Sequence, residues 1–162
     1  MAERPAINAS PLILLSRVGK LFLLKSVSEE IVVPAAVATE IQQYGAMDVT
    51  VEALAQTDWL VVVENPPVPE PIQSRNLGAG ESAVLAWGYI YHPDTEVIVD
   101  DLAARRCAAA LGIPVRGTLG LVLTAKQNGT IPAARPILEQ LRQSGLYLSD
   151  RVMNQTLAVV AE

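Results

Sequence analysis

The sequence predicts a three-layer α/β/α sandwich built on a central, mainly parallel sheet. Short runs of β-branched or bulky apolar residues alternate with longer segments of helical pattern along the whole chain. The short runs lack polar alternation, as expected of strands covered on both faces. No internal repeat, low-complexity tail or linker divides the 162 residues, so residues 1–162 are expected to form one domain.

Each element has its own signal. Ala6–Ile7 is a short first strand, weakened by Pro5 and by the polar Glu3 and Arg4. Ser10 before Pro11 has the form of an N-cap followed by a first-turn proline, and Leu21–Val27 continues helically after Gly19. Ile31–Val33 is the second strand, and Pro34–Tyr44 is a helix opened by proline and stopped by Gly45. Val49–Gln56 is a short helix with Glu52 on its wet side, followed by a strand at Trp59–Val63. The four prolines in Asn65–Asn76 predict a surface loop. Gly80–Tyr91, Leu102–Leu111 and Leu119–Gln127 are helical, the last two stopped by Gly112 and Gly129. Between them lie strands at Glu96–Val99 and Ile113–Val115, and the helices Pro132–Gln143 and Asp150–Val160 finish the chain.

Composition narrows the chemistry. With 51% hydrophobic and 18% charged residues and a mean hydropathy of +0.31, the chain buries a core and is not disordered. Aromatics are only 4%, so base stacking cannot dominate a binding surface. A net charge of −5 argues against a broad basic grip on nucleic acid. One cysteine, Cys107, excludes an internal disulfide framework and is expected to be a small buried hydrophobe. With His92 as the one histidine, soft ligands are too few for structural zinc, so any metal must be held by oxygen. Met47, Met153, Trp59 and Trp87 are expected in the core or an interface, and His92 in a loop. There is no signal-peptide pattern and no run near the ~20 apolar residues of a membrane span. A soluble, cytoplasmic protein is the expectation.

Sites in such sheets form beyond the carboxyl ends of the strands. Asp100 and Asp101 end one strand and open the next helix. One Asp suffices as a cap, whereas two adjacent carboxylates repel, and a bound cation would relieve them. Glu81 reads as a first-turn acid, Glu40 as a solvated helix residue, and Asn8 with Ser10 as a local cap. Together, acids and amides at helix starts and strand ends suit a hard divalent cation that keeps several waters and meets a substrate phosphate. Phosphodiester hydrolysis is the matching reaction class. Arg105, Arg106 and Arg116 stand near the presumed mouth. They either reach a phosphate or lie on a solvated face, with Asp101 pairing Arg105 at i,i+4. Neither GxxxxGK[ST] nor GxSxG occurs, which removes a P-loop NTPase and the usual serine hydrolase elbow. A phosphoacceptor receiver domain carries its acidic pair early in the chain, whereas this pair comes late.

The segments NASPLILLSRVGKLFLL, IVVPAAVATEI, GAGESAVLAWG, VIVDDLAARRCAAALGIPVRGTLGLVLTAKQNGTIP and LEQLRQSGLYLSDRV resemble the PIN-domain superfamily. They resemble more closely a prokaryotic branch of predicted nucleic-acid-binding proteins that contain a PIN domain. The resemblance implies an α/β/α fold and a ribonuclease using Mg2+ or Mn2+ held by three or four acids. Carried over by position, those acids fall on Asn8, Glu40, Glu81 and Asp101, with Asp100 beside the last. Ser10 matches the hydroxyl residue after the first acid, and Thr118 is placed to touch a phosphate or a water on the metal. The apolar surface implied by 51% hydrophobic residues in a small domain suggests a homodimer, as PIN domains often form, and the resemblance implies, for a toxin of a toxin–antitoxin pair, a small antitoxin partner. Asn8 departs from the pattern, since active PIN nucleases usually carry Asp there. Asparagine still offers an oxygen, but no charge. Two functions are therefore expected from the sequence. One is a metal-dependent endoribonuclease acting on RNA. The other is a catalytically silent PIN-like module that binds nucleic acid or protein.

Overall fold

The computed structural model describes residues 4–162, so Glu3 lies outside it. Five strands, all parallel, form one sheet: β1 (Ala6–Ile7), β2 (Ile31–Pro34), β3 (Leu60–Val63), β4 (Val97–Ile98) and β5 (Val115–Arg116). Their spatial order is β3-β2-β1-β4-β5. Helices flank the sheet and give the α/β/α class that the alternating pattern predicts. They are α1 (Ala9–Arg17), α2 (Ala35–Gln42), α3 (Val49–Gln56), α4 (Glu70–Gln73), α5 (Ala79–Tyr91), α6 (Leu102–Ala110), α7 (Thr118–Gln127), α8 (Arg135–Gln143) and α9 (Asp150–Val159).

The core follows from strand position. β1 is only two residues long, but Ala6 pairs with Val32 on one side and Val97 on the other, and both its residues are fully buried. Tertiary pairing thus makes a strand of a segment with little propensity of its own. β2 and β4 are also buried throughout. The two edges differ from the expectation of strands covered on both faces. β3 is buried only at Leu60, and both residues of β5 are half-buried, because an edge strand has one neighbour and a thinner helical cover.

Smaller differences have local causes. Leu21–Ser26 is a 3-10 helix rather than a continuation of α1, since Gly19 takes a left-handed φ of +69° and ends α1. The proline-rich segment holds the one-turn helix α4, where Pro71 sits in the first turn and needs no intrahelical donor. Met47 is 97% exposed, not core, whereas Met153, Trp87 and Cys107 are buried and Trp59 packs partly on the core. His92 is exposed and its Nδ1 bonds the Tyr89 carbonyl. The last helix docks on its own domain through Met153 and Leu157, and the Glu162 carboxylate accepts from Ala134 N and Arg135 N at the start of α8. Those bonds to backbone donors hold the Glu162 pKa below the usual carboxylate range. Among the described residues no helix is long and apolar enough to cross a membrane.

This topology fixes where a site can form. The chain leaves β1 toward β2 and β3, then returns past β1 to β4 and β5, so the crossovers diverge between β1 and β4. Asn8, directly after β1, and the pair Asp100–Asp101, one residue beyond the end of β4, flank that divergence.

Candidate active site

A cleft of about 1360 Å³ opens at this end of the sheet. Asn8, Ser10, Glu40, Glu81, Asp100, Asp101, Arg105 and Arg116 line it, whereas Arg106 and Thr118 do not. The fold therefore gathers most of the residues singled out along the chain, although they are spread over 109 positions from Asn8 to Arg116.

Asn8 is the best-fixed of them. Its backbone N–H bonds the Ile98 carbonyl at 3.0 Å, which ties the end of β1 to β4. It occupies the N-cap position of α1 in extended geometry, yet its side chain makes no capping bond, contrary to the reading as a local cap. Asn8 is 5% exposed, and its Oδ1 has no partner among the described residues. A buried carbonyl oxygen left unpaired costs about 1–3 kcal/mol, so this one is held against its own solvation.

Gly80, in the first turn of α5, leaves room for that oxygen. A Cβ built on Gly80 would lie 3.5 Å from Asn8 Oδ1, 3.1 Å from Glu40 Oε2 and 3.3 Å from Val37 Cγ2. The amide oxygen of β1's end and the carboxylate of α2 thus flank one point, and glycine keeps it clear. Glu40 itself is exposed, as a residue on the wet face of α2 should be, but that face borders the cleft.

Glu81 follows at the third position of α5 and accepts from Gly78 N at 3.3 Å, closing the helix start. Its pKa is raised, first by burial, then by the charge of Asp101, with a smaller contribution from Glu40; the Gly78 bond opposes them. Glu81 therefore feels the carboxylates of two other elements across the cleft. The sign of the linkage follows. A folded pKa above the unfolded one gives stability that is complete below the ordinary Glu value of about 4.3 and is lost as pH rises through the folded pKa. Glu81→Gln should accordingly raise Tm at neutral pH, by about 1–2 °C because solvent screens a half-buried carboxyl, and should give no gain near pH 4. Thermal melts at both pH values check this, and an equal shift at both would contradict it.

The two aspartates after β4 have different partners. Asp100 accepts from Thr118 N at 2.7 Å and from Thr118 Oγ1 at 2.6 Å, so both its oxygens are used in joining the end of β4 to the start of α7. Thr118 is fully buried by this contact and is not placed to touch a ligand in the cleft. The repulsion expected between adjacent carboxylates is answered here by hydrogen bonds to Asp100. Asp101 caps α6 through Oδ2 to Ala104 N at 2.9 Å, which leaves Oδ1 unengaged among the described residues.

The arginines divide similarly. Arg116 binds Glu96 at 2.9 Å and the Thr124 hydroxyl, so its charge is matched. Arg105 does not pair with Asp101 at i,i+4; its Nη1 donates to the Val99 carbonyl at 3.1 Å. Gly117 permits that position, since a Cβ there would lie 2.6 Å from the guanidinium. Arg105 forms no ion pair among the described residues and borders the cleft. The remaining lining acids outnumber it, so the cleft is electronegative.

The donor set suits a hard cation. Every available ligand is an oxygen, and one buried oxygen in the lining, Asn8 Oδ1, is unpaired among the described residues. Among the described residues no group of three or more His, Cys, Asp or Glu is placed to hold a metal by itself. Asn8 contributes an amide oxygen to the lining, which brings no charge. A cation that keeps several waters needs only one or two carboxylates, so the oxygen donors present are of the type a hard divalent cation takes.

Comparison with known proteins agrees with the architecture. No curated protein and no solved structure matches the chain significantly. A family model described as a PIN domain matches residues 5–162, almost the whole length. PIN domains are a nuclease-type family and generally use divalent metal ions. The chain belongs to the PIN-domain family.

Proposed function

We propose that this protein is a divalent-cation-dependent endoribonuclease that hydrolyses RNA phosphodiesters in the cleft between β1 and β4. The observation that carries the reading is the unpaired, buried Asn8 Oδ1 facing the same point as the Glu40 carboxylate above Gly80. Asn8, Glu40, Glu81 and Asp101 would hold the cation, and Mg2+ or Mn2+ bound there would supply the positive charge the cleft lacks and ease the ionisation of water. The chain's own residues do the rest. The N-termini of α1, α5 and α6 meet at the cleft and favour an anionic phosphate. Arg105, whose guanidinium has no ion-pair partner among the described residues, orients that phosphate, and the exposed Ser10 hydroxyl offers it a further donor. Asp100 acts at one remove by fixing the start of α7 through Thr118.

The neutral Asn8 favours a second reading, a PIN domain that binds without cutting. One assay separates the two. An end-labelled RNA pool of mixed sequence is incubated with the protein and Mg2+ or Mn2+, and again with EDTA. Internal cuts that need the cation support the nuclease. No cuts support the silent module, and cuts that persist in EDTA contradict the cation-dependent mechanism.

A further inference from the structure

The cleft mixes polar and apolar lining. Ser10, Thr39, Glu40 and Asn65 line it beside Ala35 and Ala36 near α1 and α2. Near α6 and α9, Leu102, Leu146, Leu148 and Val152 line it beside Asp101 and Arg105, and Tyr147 stands among them. Tyr147 is 94% exposed and is the one aromatic among the described residues that line the cleft.

Its exposure is imposed by its neighbours. Leu148 is buried in the core and Leu146 packs against it, so alternation along the extended segment turns the residue between them outward. Both flanks are anchored. Leu146 N bonds the Leu141 carbonyl at 2.9 Å, and Arg142 reaches the Leu148 carbonyl at 3.4 Å and Asp150 at 2.6 Å. Ser149 caps α9 through Val152 N at 3.2 Å. The backbone that presents this ring is therefore held before any ligand arrives, which lowers the entropy lost on binding.

Resting on the nuclease reading above, we infer that Tyr147 is a stacking platform for one unpaired base of the RNA strand whose backbone passes the acidic side of the cleft. A phosphate near Arg105 and a base on Tyr147 fit within the same cleft. A base is free to stack on a protein ring only where it is unpaired, so the substrate class is single-stranded. The low aromatic content limits stacking to this one ring, and neighbouring bases are held through the backbone.

The test is fluorescence anisotropy with a labelled, mixed-sequence single-stranded oligoribonucleotide of about 12 nucleotides, in Ca2+ to hold back cleavage. Tyr147→Ala should weaken binding about tenfold, and Tyr147→Phe, which keeps the ring, should bind like the wild type. The same oligonucleotide annealed to its complement should bind the wild type more weakly and be indifferent to Tyr147→Ala. Tyr147 is almost fully exposed, so neither variant threatens the fold. Wild type and Tyr147→Ala binding the single strand equally would overturn the stacking role and leave the nuclease reading standing. A wild type that binds no RNA would overturn both.

Discussion

Asp101→Asn is expected to lower cation-dependent RNA cleavage by about 100-fold or more while leaving the melting temperature nearly unchanged. Asparagine caps a helix about as well as aspartate, so the bond to Ala104 N, and with it the start of α6, survives the change. What is lost is the charge, together with its pull on anything held by the unengaged Oδ1. A metal-centred charge effect in a hydrolytic site is worth several kcal/mol, and each 1.4 kcal/mol is tenfold in rate. Asp101→Ala is the poorer probe, because removing the cap costs about 1 kcal/mol on its own. Rates on the end-labelled RNA pool, read beside thermal melts, check the expectation. Cleavage by Asp101→Asn at the wild-type rate would remove Asp101 from the site.

Gly88→Ala should cause the largest loss of stability. Gly88 lies in the middle of α5 where the helix crosses the sheet, and a Cβ there would come within 2.7 Å of both Ile113 Cγ2 and Val97 Cγ1. Real Cβ contacts are essentially never that short. Both neighbours are β-branched with stiff χ1 angles, so neither yields by changing rotamer. The helix must retreat from β4 and from the segment leading to β5. Overpacking of this kind costs about 1–3 kcal/mol, of which the better helix propensity of alanine returns at most about 1. A Tm lower by about 2–6 °C is expected. Because α5 also carries Gly80 and Glu81 in its first turn, cleavage should fall as well. An unchanged Tm would contradict the close helix–sheet packing.

The fold was legible because its signals are local and repeated. Apolar runs and glycine stops mark most elements to within two or three residues, as at Val49–Gln56, which the sequence places without error. What depends on neighbours was less so. α4 hides in a proline-rich segment because proline opens a helix as readily as it breaks one. The exposed faces of β3 and β5 depend on their place at the sheet edges, which strand composition does not encode.

The site shows the same division. The family resemblance, carried over by position, names Asn8, Glu40, Glu81 and Asp101, all of which line one cleft. Residue type and order do not reveal that Asp100 is engaged by Thr118 while its neighbour keeps a free oxygen, since both follow the same strand. Nor do they separate Arg105 from Arg106, adjacent on one helix, of which only the first borders the cleft. Gly80 and Tyr147 were missed altogether. The first matters through the space it leaves, and the second through burial of its two neighbours. In Tyr147's case the pattern Leu-Tyr-Leu in a loop between two helices was the available signal.

Calorimetric titration of Mn2+ into the wild type and Asn8→Asp tests most directly whether one cation is held around Asn8. Asp at this position brings a full charge beside Glu40 and into the repulsion already felt by Glu81. A buried carboxylate without a partner is costly, so the metal-free variant should melt several degrees below the wild type. Mn2+ should bind it about tenfold more tightly, with one ion per chain, and should restore the lost stability. Unchanged Mn2+ affinity in Asn8→Asp would contradict the placement of the cation and, with it, the assignment of this cleft.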